Sequence, residues 1–213
     1  ARTMVLSRQD IASWSWRNCS VEYNKRTDAL YQQLADVTEV FTKSQVPHTI
    51  AYGTLIGMMR NHSMNPFEID NDIVLLDNSY NEEIDYQIHQ RLYERGLNWF
   101  RADRIWRICR KTQKPRSNND GPGQSTYFPY TDVYPVKHDK FYAFWEKNGK
   151  QIVQRKMSEV SISTPTDEVA EYWLSLRYPN WKQSPQKKKK YGVALSQEWE
   201  SQIDTQMTGT NML

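Results

Sequence analysis

Between residues 23 and 45 the apolar positions Leu30, Leu34, Val37 and Phe41 recur at helical spacing among charged and amide side chains, which predicts an amphipathic helix. Pro47 follows as a helix stop, and HTIAY at 48–52 reads as a short strand. Gly53-Thr54 then leads into LIGMMR, the opening turns of a second helix, and HSMNPFE after it is a loop. IDNDIVLLD is a strand whose apolar run, IVLL, has to be buried. Over 80–96 helical spacing returns at Ile84, Ile88 and Leu92, with Gly96 placed to cap the helix C-terminus.

Further along, WFRADRIWRICRK alternates loosely through Trp106 and Ile108 and predicts one strand, with Arg107 and Arg110 near its face. KPRSNNDGPGQS is a loop, and TYFPYTDVYPV is an aromatic strand with Asp132 in its middle. KFYAFWEKNGKQIVQR predicts a β-hairpin turning at Asn148-Gly149, a pair suited to a type I′ turn. After Pro165, DEVAEYWLSLRY returns to helical spacing with Thr164 or Thr166 as N-cap, and few apolar positions follow Lys190. The expectation is an α+β fold: a mixed β-sheet carrying the acidic residues, with flanking helices, over residues 23–185. Residues 1–22 form an N-terminal extension and 186–213 a basic tail.

Composition narrows the function classes. A chain of 213 residues with 8 Trp and 13 Tyr can bury a substantial core as one domain. A net charge of +3 does not suit a general nucleic-acid binder, although Lys187 to Lys190 concentrate positive charge at one place. No apolar run approaches the ~18 residues of a membrane-spanning helix. Cys19 and Cys109 are too few for a four-sulfur zinc site but enough for one bridge. Asn18-Cys19-Ser20 and Asn61-His62-Ser63 are glycosylation sequons, and the opening ARTMVLSRQD is expected to be the interior of a longer protein.

The candidate chemistry lies in the acids. Asp70 and Asp72 stand two apart on a strand, so both side chains share one face, where like charges repel unless a cation lies between them. A hard divalent ion is suited to carboxylate oxygens and to phosphates. Asp-x-Asp at a strand end also occurs as a solvated edge. Gly53-Thr54, between strand and helix, aims backbone N–H groups at whatever lies before the helix, which suits a phosphate; ordinary turn and cap chemistry uses the same residues. Asp132 supplies a third strand-borne carboxylate.

GTLIGMMR followed by NPFEIDNDIVLL resembles the LicD/fukutin-related family of nucleotidyltransferase-fold phosphotransferases. Its members show Gly-Thr-Leu-Leu-Gly, then Arg, then Pro-Trp-Asp-Asp-Asp-Ile-Asp-Ile. Gly53, Thr54, Leu55, Gly57 and Arg60 match the first part; Pro66, Asp70, Asp72 and Ile73 match the second. Asp132-Val133-Tyr134-Pro135 looks like the later Asp-aliphatic-aromatic-Pro strand, and Arg177-Tyr178-Pro179-Asn180-Trp181 with Pro185 looks like the C-terminal Tyr-Gly-Asp-Trp segment. Phe67 replaces the family's Trp, Glu68 and Ile69 stand at acidic positions, and Asn71 replaces an aliphatic residue between the aspartates.

The resemblance implies a nucleotidyltransferase-like core. It further implies metal-dependent transfer of a phosphorylated alcohol from a CDP-linked donor, of CDP-choline or CDP-ribitol type, to a glycan hydroxyl. Asp70, Asp72 and Asp132 would hold Mg²⁺ or Mn²⁺, with Asp132 as ligand or as base. Gly53, Thr54, Arg107 and Arg110 would meet the donor phosphates, and Arg60 would form a salt bridge near the acidic loop. Phe128, Tyr130, Tyr134 and Trp181 serve as stacking platforms or as core. No nucleic-acid partner is expected, since the Gly-Ser signature and broad basic surface of such transferases are missing. The setting would be the Golgi lumen behind a missing membrane anchor, or the cytoplasm for a bacterial type. The alternative is a weak or inactive relative that binds glycan or nucleotide.

Overall fold

Leu30, Leu34, Val37 and Phe41 are all buried along one side of α1 (Arg26–Lys43). The computed structural model describes residues 26–65, 68, 70–77, 82–111, 129–135 and 140–183. After α1 come β1 (His48–Ile50), α2 (Tyr52–Asn61), β2 (Asp70–Leu75) and α3 (Glu82–Glu94). Then follow β3 (Leu97–Ala102), β4 (Ile105–Arg110), β5 (Tyr130–Tyr134), α4 (Lys140–Lys147), β6 (Ile152–Met157), β7 (Val160–Pro165) and α5 (Asp167–Arg177).

Five strands form one sheet in the order β1-β2-β5-β4-β3; β2 and β5 run parallel and the other neighbours antiparallel. This is the expected α+β architecture with a mixed sheet and flanking helices. Side chains alternate across a strand, so the register divides the sheet into two chemically different faces. One face carries Ile73, Val133, Ile108 and Trp99. There the Trp99 ring meets Phe41 of α1 at 5.7 Å and His89 of α3 at 5.2 Å between centroids.

The same face holds a buried polar clamp. Asn71 Nδ2 donates to Leu30 O and Thr131 Oγ1, while Gln33 Nε2 donates to Ile108 O and Thr131 Oγ1. These bonds tie α1 to β2, β5 and β4, and they satisfy side-chain donors that burial would otherwise penalise. Asn71, which stands where the family pattern has an aliphatic residue, therefore projects away from the aspartates on either side of it.

The β6–β7 hairpin turns at Ser158-Glu159 and is fastened at both ends. Thr49 Oγ1 donates to Ser163 O, and Ser158 N–H donates to His62 O at the end of α2. By contact the chain divides into two compact units, Ala1–Glu171 and Tyr172–Leu213, with the boundary inside α5. In the second, Tyr178 N–H bonds Leu174 O and Trp181 Nε1 donates to Ser175 Oγ, folding the segment after α5 back onto its last turns.

Two sequence expectations are corrected. Lys140–Lys147 is helical, so no hairpin turns at Asn148-Gly149. Phe141 and Trp145, four residues apart, are both buried, and this spacing outweighs the turn signal. Gly149 and Lys150, both with positive φ, instead end the helix, with Lys150 N–H returning to Trp145 O. The stretch 99–111 holds two strands rather than one, because Asp103 adopts the left-handed conformation (φ 57°) and turns the chain into an antiparallel pair. The 114–125 loop, Phe128, and residues 1–22 and 186–213 lie outside the described residues. Cys109 is disulfide-bonded, and Cys19, the sequence's other cysteine, is also outside them. Among the described residues no helix is long and apolar enough to cross a membrane.

Candidate active site

Register builds the site on the second face of the sheet. Parallel pairing puts Tyr130 beside Asp70 and Asp132 beside Asp72, and antiparallel pairing puts Arg107 beside Asp132. Paired residues project to the same side, and adjacent strands are about 4.8 Å apart. Three carboxylates, one guanidinium and the Tyr130 and Tyr134 phenols thus share one patch. Phe100, Cys109 and Tyr130 pack together beside it as an apolar margin.

Each acid has its own fixed partners. Asp72 is held by the Gly53 backbone N–H on Oδ2 (3.0 Å) and the Tyr134 hydroxyl on Oδ1 (3.1 Å), while its own N–H donates to Thr54 Oγ1 (2.8 Å). Gly53 and Thr54 lie within the first turn of α2, not ahead of it, so the positive end of the helix faces Asp72. Asp70 takes a hydrogen bond from the Tyr130 hydroxyl. Asp132 receives both arms of the Arg107 fork, Nε to Oδ1 at 2.8 Å and Nη2 to Oδ2 at 3.2 Å. The Arg107 guanidinium also lies 4.0 Å above the Tyr130 ring centre.

A fourth carboxylate joins the patch. Glu68 is bonded by Asn65 Nδ2 at 3.2 Å and lies so close over Gly53 that a Cβ there would come within 2.9 Å of Glu68 Oε1. A glycine is needed at position 53 for this approach. Burial raises Glu68, opposed by the Asn65 hydrogen bond and by the charge of Arg60.

Burial and mutual repulsion set the electrostatics. Burial first, then the charges of Asp132 and Glu68, push Asp70 up to about 7. Burial and the negative charges of Asp70, Asp132 and Glu68 lift Asp72 well above the ordinary carboxylate range, against the Tyr134 hydrogen bond. Burial also raises Asp132, and it outweighs the opposing pull of Arg107. On Arg107 burial works against the charge, but the Asp132 pair more than offsets it, so the guanidinium stays protonated. Burial first, then the negative charge of the neighbouring acids, raises the Tyr130 and Tyr134 phenols, which keeps both as hydrogen-bond donors.

This donor set suits a hard divalent cation: oxygen ligands only, with excess negative charge that a cation would relieve. Asp70 and Asp72, two apart on one face of β2, are the side chains that could hold one. Among the described residues no three acidic, His or Cys side chains are grouped as a metal-binding set, and Asp132 is bonded to Arg107.

Arg110 is not part of the patch. Three residues from Arg107 on a strand, it projects from the opposite face, where its Nη2 lies 3.8 Å from Asp36 Oδ2. Lys187 to Lys190 lie outside the described residues. Glu68 has no role in the site expected from the sequence, where Tyr130 and Tyr134 stand only as stacking platforms or core. The period-two series Tyr130, Asp132, Tyr134 on one strand was the signal that would have placed both phenols beside the acids. A separate groove of about 710 Å³ between α1 and the β6–β7 hairpin is lined by Tyr31, Thr38, His48 and Gln154, among others, and none of Asp70, Asp72 and Asp132 borders it.

The chain matches no family model. It is 25% identical over 166 residues to an uncharacterized protein of Rickettsia prowazekii, covering 74% of this chain and 56% of that protein. To an uncharacterized protein of Rickettsia typhi it is 26% identical over 158 residues, covering 74% of this chain and 48% of that one. The chain thus spans about half the length of these curated relatives. Among solved structures it is similar to an antigenic nucleotidyltransferase-like protein from Paracoccidioides brasiliensis (TM-score 0.44, 12% identity, 86% of this chain and 77% of that one). It is also similar to terminal uridylyl transferase 4 from Trypanosoma brucei (TM-score 0.29, 12% identity, 65% and 40%). Likeness at this level assigns no function, and the chemistry rests on the side chains themselves.

Proposed function

We propose that the carboxylate face is the active site of a nucleotidyltransferase-like phosphotransferase. It would move a phosphorylated alcohol from a CDP-linked donor, of CDP-choline or CDP-ribitol type, to a glycan hydroxyl, as the LicD/fukutin-related resemblance suggests. The observation that carries this reading is the register of β2, β5 and β4, which gathers Asp70, Asp72, Asp132 and Arg107 on one face.

Asp70 and Asp72 would hold Mg²⁺ or Mn²⁺, which when bound supplies positive charge against the donor diphosphate. The Gly53 N–H and the Tyr134 hydroxyl fix the Asp72 carboxylate, so little reorganisation is needed on binding. Arg107 offers the donor phosphates a planar fork. In transfer, the acceptor oxygen forms a bond to the phosphorus bearing the alcohol, the bond from that phosphorus to the bridging oxygen breaks, and CMP leaves. Asp132 serves either as the base that takes the acceptor hydroxyl proton or as a third cation ligand, in which case that proton passes to solvent. The setting in the same proposal is the Golgi lumen or secretory pathway, or the cytoplasm for a bacterial type.

A rival reading, nucleotide binding without transfer, is favoured by one observation: Asp132 is engaged by both arms of Arg107. Thermal melts with CDP test whether the site is metal-dependent. A ligand that binds only the folded chain raises the melting temperature with the logarithm of its concentration over its dissociation constant. The shift should require Mn²⁺; an equal shift with CDP alone points to a cationic pocket around Arg107 and contradicts the proposal.

A further inference from the structure

We infer that Arg107 is a positioning residue that holds Asp132 back from the Asp70–Asp72 pair and competes with a bound divalent cation for it. The inference rests on the metal-dependent reading above and adds a role for Arg107 that the resemblance does not contain.

Three adjacent strands bring the groups together. Asp132 has Asp72 directly beside it on β2 and Arg107 directly beside it on β4. Its charge is felt by both Asp70 and Asp72, so it stands within electrostatic reach of that pair. Yet both of its oxygens are turned the other way, onto Nε and Nη2 of Arg107. A bidentate arginine–carboxylate pair is among the stronger polar contacts a protein makes and fixes the carboxylate plane. For Asp132 to complete a three-carboxylate set with Asp70 and Asp72, the carboxylate has to leave this fork.

Arg107 has somewhere to go when that happens. Its guanidinium rests on the Tyr130 ring, a contact that does not depend on Asp132, and its side chain is 24% exposed against 7% for Asp132. Released from Asp132, the fork keeps its platform on the carboxylate face with its donors free for an anion. One exchange of partners therefore adds a third carboxylate to the cation site and frees a guanidinium for phosphate. It couples the two halves of the donor site: cation binding makes phosphate binding stronger, and by linkage the reverse.

The test is the affinity for Mn²⁺ alone, by isothermal titration without nucleotide. Wild type is compared with Arg107→Gln, Arg107→Lys, Asp70→Asn and Arg101→Gln, the last removing an exposed charge on the other face. Arg107→Gln is expected to bind Mn²⁺ about tenfold tighter than wild type, equivalent to about 1.4 kcal/mol. Arg107→Lys, which keeps the charge and loses the fork, should shift in the same direction by a smaller factor, and Arg101→Gln should leave the affinity unchanged. A residue with a merely structural role would weaken binding when replaced. In the same variants, added Mn²⁺ should no longer strengthen CDP binding to the wild-type degree.

Unchanged or weaker Mn²⁺ affinity in Arg107→Lys overturns the inference, because tightening in Arg107→Gln alone would then be a simple charge effect. Should Arg107→Gln not fold, Arg107→Lys decides by itself, since its stem still covers Tyr130. Binding lost in Asp70→Asn but unmoved by the Arg107 variants leaves the metal site standing and removes only the exchange. No Mn²⁺ binding by wild type overturns the metal reading and this inference with it.

Discussion

Asp72 Oδ2 accepts the backbone N–H of Gly53 at 3.0 Å, so the first turn of α2 is directed at a carboxylate of the neighbouring strand β2. Together with the Tyr134 hydroxyl on Oδ1, this fixes the Asp72 carboxylate in a buried position where its charge is disfavoured. The position is costly for stability and, under the proposed function, useful for binding a cation, a combination common where function opposes folding.

Asp72→Asn should therefore separate the two. An amide keeps an oxygen for the Gly53 N–H and can donate to the Tyr134 oxygen, so the fold should be retained. Without a buried charge, the variant should melt at a higher temperature than wild type at pH 8. Transfer activity should fall by more than about a hundredfold, since loss of even an outer-shell partner of a metal ligand costs about that much. A variant that is both less stable and fully active would contradict the placement of Asp72.

Asp70 gives the stability a pH dependence whose sign is fixed. Its carboxyl is raised from an ordinary value of 3.8 to about 7, so between these values the folded chain holds a proton that the unfolded chain has lost. Stability from this group therefore falls as pH rises from about 4 to about 7. His48 and His89, whose proton affinities are lowered by burial, act the other way and cost stability as pH drops below 6.5. Comparing wild type with Asp70→Asn cancels the imidazoles, although it also relieves Asp72 of a neighbouring charge. In chelator, the melting temperature of the variant minus that of wild type should grow by several degrees between pH 4.5 and pH 8, at about 2–4 °C per kcal/mol for a chain of this size. A constant difference would mean that Asp70 is ionised throughout.

Gly57 and Gly53 should respond differently to a methyl group. At Gly57 a Cβ would lie 2.5 Å from Ser63 O and 2.9 Å from Asn65 N, both backbone atoms of the loop that leads to Glu68. Gly57→Ala should cost about 1–3 kcal/mol in stability, because that loop has to move. At Gly53 the clash is with the end of the Glu68 side chain, which can rotate away. Gly53→Ala should cost little stability but should change Mn²⁺ affinity, as the Glu68 charge is displaced. Melting curves and Mn²⁺ titrations of the two variants check both statements, and equal destabilisation would contradict the loop geometry.

The order of elements from 26 to 111 was largely legible in the sequence because helical and alternating periods are strong there. The Leu30, Leu34, Val37, Phe41 stripe and the IVLL run each allow one reading. Lys140–Lys147 was misread because Asn148-Gly149 is a local signal, whereas burial of Phe141 and Trp145 depends on what packs against them. The turn at Asp103 escaped because a non-glycine residue there takes a positive φ. At the site, the i and i+2 aspartates were visible, but the pairing of Arg107 with Asp132 depends on strand order. No spacing in one sequence reveals that β4 and β2 both flank β5. Arg110, by contrast, is separable from Arg107 by spacing alone, since residues three apart on a strand face opposite ways.

The most direct measurement of the central claim is the mass gained by a glycan acceptor incubated with the protein, Mn²⁺ and either CDP-choline or CDP-ribitol. The account predicts a gain of one phosphocholine or one ribitol phosphate with one of the donors, lost on adding a chelator and lost in Asp70→Asn. A gain that persists in Asp70→Asn with chelator present would contradict the assignment of the carboxylate face, as would no gain with either donor from a chain that binds CDP only when Mn²⁺ is present.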